Sequence, residues 1–424
     1  MRLGFLTSLV LMGISVPAAA QDYTGEIRRL FERPDVRAAF GVIDRLEPQT
    51  QADLIALTQI PAPPFKEQER ARKYTEMLGL AGADSVWIDA EGNVIARRRG
   101  RSGQRTVAVG AHLDTVFPEG TDVTVKVRGD TLFAPGIGDD TRGLVLVLTM
   151  LRALNQARIA TDADVLFIGT VGEEGLGDLR GVKHLFGPSG PRIDSWIAVD
   201  GGSADRIVNR GLGSHRYRVA FRGPGGHSWG AFGMGNPHHA LGRAIHYFVD
   251  AADVYTREGA RTSYNVGTVS GGTSVNAIPF ESSMEVDMRS ESPARLAGVD
   301  SLLHRAVARA LAELNGMRRR GPELTAEVTL LGDRPSGENP ATSPMVQRAQ
   351  AVVRQFGLTP RLEVSSTDSN IPIAKGVPAI TIGRGGVGQG GHSPGEWWIN
   401  RDGALAIKSA LLMTLAEAGV ALTP

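Results

Sequence analysis

"DVLFIGTVGEEGLGDLRG", residues 164–181, sets an apolar run directly against an acidic, glycine-rich turn. The run shows no alternation of polar and apolar residues. It therefore predicts a strand covered on both faces, as in the parallel sheets of α/β proteins. Three other runs have the same character: "TVAVGA" (106–111), "SWIAVD" (195–200) and "PAITIG" (378–383). Helical stretches lie between or beside them at 66–81 and 142–157. Strand and helix in alternation predict an α/β fold, with a mixed, largely parallel sheet and helices on both faces. The turn that closes the opening run poses a chemical question, because Glu173 and Glu174 are adjacent carboxylates at a buried strand end. Two such anions repel, and removing either from water is costly unless a positive charge compensates.

The chain has 424 residues and a formal charge of +1. That length exceeds one ordinary core, and so even a balance of charge gives no footprint for nucleic acid. Residues 1–20 carry Arg2, an apolar run and then Ala18, Ala19 and Ala20. They read as a secretory signal peptide, cleaved after Ala20 for export to the periplasm or the medium. No stretch is long enough for a membrane span. Cysteine is absent, so an exported chain without disulfides must rely on a large core or bound metal, and any metal site on His, Asp and Glu.

Past residue 210 the pattern changes. "SHRYRVAFRG" (214–223) and "FESSMEVDMRS" (280–290) alternate polar and apolar residues, and "ELTAEVTLLG" (323–332) does so more loosely. These predict antiparallel strands with one wet face, and helical segments near 237–254 and 294–315 fit between them. The order strand, helix, strand, strand, helix, strand is that of a ferredoxin-like α+β sandwich. Residues 211–332 therefore read as a lid or dimerisation domain inserted into a catalytic domain formed by 21–210 and 333–424.

The polar residues after the buried strands are few and of one kind. "HLDTV" supplies His112 and Asp114, and "GIGDDTRG" supplies Asp139 and Asp140. The opening turn supplies Glu173 and Glu174, "AVDGG" supplies Asp200, and "GHSPGEWW" supplies His392 and Glu396. In open α/β sheets ligands bind beyond the carboxyl ends of the strands, so these groups can converge on one crevice. So many carboxylates could not all stay ionised there without cations. Imidazole and carboxylate without sulfur suit zinc, with manganese or cobalt as substitutes.

In order and spacing these motifs resemble those of the co-catalytic di-zinc exopeptidase and deacylase family, over nearly the whole mature chain. The resemblance implies two zinc ions bridged by Asp139, with His112 and Asp200 on one and Glu174 and His392 on the other. Asp139 rather than Asp140 follows from a gapless match of "GIGDD", although Thr141 stands where many members have Lys. Asp114 would orient His112, and Glu173 would be the general base for water acidified between the ions. In the insert, His227 matches a residue that helps stabilise the oxyanion, often from a partner subunit. Asn276 and Arg289 match positions that contact the substrate's carbonyl or carboxylate. For Arg289, a plain surface position on a wet strand face is the alternative.

"GHSWG" (226–230) fits a serine nucleophile elbow at Ser228, but the strand before it alternates and no helix follows directly. "GRGGVG" (383–388) likewise lacks the helix that a dinucleotide site needs. A non-catalytic metal-binding protein on the same fold would be marked by loss of Glu173 or a ligand, and all are kept. The sequence thus predicts an exported zinc exopeptidase acting on small peptides, similar to tripeptidase-like members. The alternative is an N-acyl amino acid deacylase with the same mechanism. Asp200 tilts toward the peptidases, since deacylases of the family more often have Glu there. A homodimer through the insert is the further expectation, because small sheets offer edge strands for pairing.

Overall fold

Alternate residues of the central strands face two different cores in the computed structural model, which describes residues 22–421. Val165 and Phe167 point into the larger core, while Leu166 and Ile168 point into the smaller one. Val107 and Val109 are likewise divided from Ala108. Both faces are covered, which is why these runs show no alternation. Phe167 is completely buried; truncating it to Ala would cost about 3–5 kcal/mol in lost transfer energy and cavity.

The main sheet runs in the order 85–88, 94–98, 164–170, 106–112, 195–199, 379–382, 206–211 and 337–338, with 361–365 also paired to 206–211. Its four central strands, Asp164–Thr170, Thr106–His112, Ser195–Val199 and Ala379–Ile382, are mutually parallel, and the flanking pairs are mostly antiparallel. The helix Gly143–Gln156 is almost wholly apolar and buried in the larger core, beside Gly403–Ala418. Four parallel strands end on one side of the layer, so the loops that follow them meet at one edge.

A second sheet runs in the order 262–271, 281–290, 213–222 and 325–334, and every pair in it is antiparallel. Val219, Phe221, Met284, Val286 and Met288 on one face pack against the helices Pro237–Tyr255 and Pro293–Met317. Each helix starts at a polar cap, Asn236 or Ser292, followed by proline at the first turn. The last strand runs on to Arg334, two residues past the loose alternation, and so delivers that arginine to the main layer.

A small third sheet had no signal in the alternation of the sequence. Trp397–Ile399 pairs with Thr131–Phe133, which ties the segment carrying His392 and Glu396 to the segment that leads into Asp139. Among the described residues no helix is long and apolar enough to cross a membrane. The signal peptide and its cleavage after Ala20 lie outside the described residues.

Candidate metal and catalytic site

Asp139 sits between two imidazoles. Its Oδ1 is 3.1 Å from His112 Nε2 and its Oδ2 is 3.1 Å from His392 Nε2. Glu174 Oε1 lies 2.9 Å from His392 Nε2. The ligand atoms of His112, Asp139 and Asp200 all fall within 4.8 Å of one another, as do those of Asp139, Glu174 and His392. The five residues expected to hold metal are therefore brought together in two groups that share Asp139. Asp140 turns the other way. It is fully buried, accepts a bond from the His112 backbone N–H at 3.3 Å, and leaves Oδ1 without a partner.

The loops are held by carboxylates that do not face the cleft. His112 Nδ1 lies 3.0 Å from the Asp114 backbone carbonyl, an orientation that leaves Nε2 toward Asp139. The Asp114 side chain, 3.8 Å from that ring, instead accepts the backbone N–H groups of Glu173 at 3.1 Å and Glu174 at 2.8 Å. Asp114 thus orients His112 through its main chain, while its carboxylate caps the glutamate turn. Glu396, buried, accepts from the backbone of Gly136 (2.7 Å), Gly138 (2.9 Å) and Asp139 (3.0 Å). It fixes the Asp139 loop rather than lining the site.

Electrostatics record how crowded the cluster is. Burial, joined by the charge of Asp139, raises Asp200 above the usual carboxylate range. Burial also raises Glu173 well above its ordinary value, partly opposed by the Arg334 guanidinium. For Asp139 burial acts upward, but the hydrogen bonds with His112 and His392 outweigh it and hold the group low. His392 is pushed up to about 10 by its bonds to Asp139 and Glu174. Behind the cluster, burial raises Asp368 to about 6, and its Oδ2 accepts from Thr170 at 2.5 Å.

A cleft of about 370 Å³ separates this cluster from the inserted sheet. Asp139, Glu173, Glu174, Asp200 and His392 line it together with Arg206 of the main layer, which donates to the Asp200 carbonyl at 2.7 Å, while Arg216, Arg289 and Arg334 line it from the inserted sheet. Arg289 therefore reaches the site. Arg334 Nη1 is 3.3 Å from Glu173 Oε1, and its Nη2 donates to the Glu173 carbonyl. Neither Arg216 nor Arg334 was legible as functional, since Arg216 reads as an ordinary strand cation and Arg334 falls two residues beyond the strand expected at 323–332. His227 and Asn276 are exposed and do not line the cleft. Gly226–His227 pairs with Ala277–Ile278 beyond the outer end of the sheet, whereas Arg289 pairs with Ser214 at its inner end. At ~3.3 Å per residue, the strand between them spans roughly 25 Å. Ser228 shares that outer loop; the element before it is a two-residue antiparallel bridge, and the next helix starts only at Pro237. The context of a nucleophile elbow is missing.

A mixed α/β layer with histidines and carboxylates gathered at its strand ends defines a hydrolase of the metallopeptidase class. A profile of peptidase family M20/M25/M40 matches residues 108–418, and the chain belongs to that family. Carboxypeptidase G2 of Pseudomonas sp. is 23% identical over 311 residues, 70% of each chain. A tripeptidase structure from Staphylococcus aureus superposes with a TM-score of 0.70 at 20% identity, covering 88% of this chain and 98% of that one. An amidase of the hydantoinase/carbamoylase family from Burkholderia vietnamiensis does so with a TM-score of 0.64 at 18% identity, covering 88% and 97%. The family read from the motifs is borne out, and with it the fold class.

Proposed function

We propose that the chain is an exported di-zinc exopeptidase that releases an amino acid from small peptides. The observation that carries this is Asp139 seated between His112 and His392, with Asp200 and Glu174 closing the two groups and Glu173 beside them, within 4.8 Å of His112 and Glu174 but hydrogen-bonded to neither imidazole. The donor set fits a pair of cations. Burial lowers the His112 pKa, but the hydrogen bond to Asp139 and the surrounding carboxylates raise it well above its ordinary value, so the ring holds a proton there. Neutral, with Nδ1–H spent on the Asp114 carbonyl, it would present a lone pair to a carboxylate oxygen 3.1 Å away. Two acceptors so close require a proton or a metal ion between them. His112 and Asp200 would hold one zinc, Glu174 and His392 the other, and Asp139 both; cobalt or manganese would be accepted as substitutes. Bound there, the ions would supply Lewis acidity toward the scissile carbonyl and toward water.

The chain's own groups do the rest. Glu173 takes a proton from the attacking water and returns it to the leaving nitrogen. Arg334 keeps its carboxylate aimed into the cleft. Arg289 offers a guanidinium edge to a substrate carboxylate. His227 and Asn276, beyond reach of the cleft in their own chain, serve the site of a second copy in a homodimer paired through the inserted domain. The signal-like first twenty residues support export to the periplasm or the medium.

The tripeptidase superposition favours small peptides as substrates. An N-acyl amino acid would present the same carboxylate to Arg289, and the amidase superposition supports that second reading. The deciding experiment gives the zinc-loaded protein free, N-blocked and C-blocked di- and tripeptides beside N-acetyl and N-succinyl amino acids. Turnover of peptides is expected. Hydrolysis of acyl amino acids alone would replace the peptidase reading with the deacylase one. Activity that survives exhaustive chelation, with no zinc, cobalt or manganese bound, would end both.

A further inference from the structure

Arg216 lies in the inserted strand Gly213–Arg222, directly opposite Asp287 in register. Its side chain leaves the inserted sheet and bonds to the main layer: Nη1 donates to the Gly175 carbonyl at 2.6 Å. Gly175 immediately follows Glu174, and its left-handed backbone (φ 52°) bends the turn at that point. The turn is thus held from two sides. Asp114 of the main layer takes the N–H groups of Glu173 and Glu174, while Arg334 and Arg216 from the inserted strands take the carbonyls of Glu173 and Gly175.

Arg216 is also tied to the carboxylate anchor. Asp287 accepts Arg216 Nε–H at Oδ1 (2.9 Å) and Arg289 Nε–H at Oδ2 (2.8 Å), so one carboxylate clasps both guanidinia. Arg289 spends only Nε on this bond, and its Nη groups have no hydrogen-bond partner among the described residues. A planar fork can make such divided bonds because its donors are fixed in direction. Two cations and one anion leave this clasp with an excess positive charge on the cleft wall opposite the proposed metal pair.

We propose that Arg216 is a positioning residue: with Asp287 as the link, it couples a substrate carboxylate held by Arg289 to the placement of the Glu173–Glu174 turn. A carboxylate at the free Arg289 Nη edge fixes that guanidinium, which through its Nε bond fixes Asp287 against Arg216. That fixes the Arg216 side chain and its bond to the Gly175 carbonyl. The coupling is reciprocal, so a well-placed turn also favours the anchored substrate. Substrates that carry a carboxylate at this wall are favoured in turnover as well as in binding. This rests on the amide-hydrolase reading above and adds a role for two residues outside it.

The test uses full-length zinc-loaded enzyme and a matched pair of substrates, one peptide with a free C-terminal carboxylate and its C-terminal amide. kcat and KM are measured for wild type, Arg216→Ala, Arg289→Ala and the double variant. Arg289→Ala is expected to raise KM on the acid and to lower its kcat, each by more than on the amide. Arg216→Ala should lower kcat on the acid by about 10-fold. In the Arg216→Ala background the kcat penalty of Arg289→Ala should shrink by about 5-fold, the range found for residues in one network. Arg216→Lys preserves charge and bulk, so it guards against misfolding. One ammonium cannot divide itself as the fork does, so it too should lose the coupling.

Independent, multiplicative losses would overturn the proposal, as would an Arg216→Ala effect confined to KM or equal on acid and amide. Full coupling in Arg216→Lys would also overturn it. So would loss of zinc from Arg216→Ala, which would make the residue a support for metal binding instead. A wild type inert toward the whole substrate panel would instead remove the amide-hydrolase reading, and this proposal with it.

Discussion

The inner end of the inserted sheet brings Arg216, Arg289 and Arg334 into the cleft, whereas its outer end leaves His227 and Asn276 in solvent, roughly 25 Å away along the strands. The inner residues are bonded into the chain: Arg334 to Glu173, Arg216 to Gly175 and Asp287, Arg289 to Asp287. At the outer end, Trp229 and Val275 are almost fully exposed, and the Asn276 side chain bonds only to Ser274 of its own loop, at 2.6 Å. One chain completes the inner constellation alone. A substrate held in this cleft of about 370 Å³ does not extend to the outer end of the sheet as the two sheets are placed here.

The largest effects should come from the part that one chain completes. Glu173→Gln keeps the shape of the side chain and removes its basicity. Turnover should fall by about 10³-fold or more, while metal content measured by plasma emission stays at the wild-type level. Glu174→Gln should instead weaken metal binding, because its Oε1 lies 2.9 Å from His392 Nε2 within one of the two groups. Equal loss of metal in both variants would erase the division of labour between these neighbours.

The outer end makes a different prediction. His227→Ala should cost about 10²-fold in kcat if its imidazole reaches the developing oxyanion. Mixing it with Glu173→Gln should restore activity, since one hybrid site then has an intact base and an intact histidine from the other copy. With random exchange of subunits in a symmetric dimer, about a quarter of wild-type activity returns. No recovery after proven exchange would confine His227 to its own chain and break the contrast. Metal removal should act on the inner constellation in a smaller way. Chelation leaves three carboxylates facing one another and withdraws ligand linkage, so the melting temperature should fall by several degrees and return on adding zinc.

The contrast also shows what the sequence can disclose. The buried strands were legible because residues such as Val165–Ile168 lack alternation, and His112, Glu174 and Asp200 because each closely follows such a strand; Asp139 stands instead just before a helix, and His392 beyond a glycine-rich loop. Asp139 could be separated from Asp140 only by a motif match, and the structure gives the physical difference: one carboxylate between two imidazoles, the other turned beneath the His112 backbone. Asp114 and Glu396 were visible as acids near the site, but not as acceptors for backbone N–H groups, because that use depends on how loops pass one another. Arg216 and Arg334 were illegible for a related reason. On a single strand a cation facing the cleft and a cation facing water look alike; only the seam between two sheets distinguishes them. The separation of Arg289 from His227 required the register, which alternation alone does not supply.

The helix-covered face of the inserted sheet, opposite the seam, provides the smallest and most local test. His215, next to Arg216, lies between two acids, with Nδ1 2.5 Å from Asp300 and Nε2 3.5 Å from Asp333. Hydrogen bonding to Asp333 and Asp300 raises its pKa against the opposing effect of burial, and the same contact lowers that of Asp333. A raised histidine contributes stability that is complete below its unfolded value, near 6.5, and is lost as pH rises through the folded value. A lowered aspartate contributes above its unfolded value, near 3.8, and loses that contribution on acidification. Both act together only between these limits, so His215→Asn should destabilise most near pH 5–6. The loss there should be roughly 1 kcal/mol, about 1 °C in melting temperature for a chain of this length, kept small because the Asp333 side chain is 55% exposed. At pH 9 the gap between variant and wild type should narrow. A gap that stayed constant from pH 5 to pH 9 would show that His215 serves the helix-facing side of the sheet by packing against Tyr217 and not by charge.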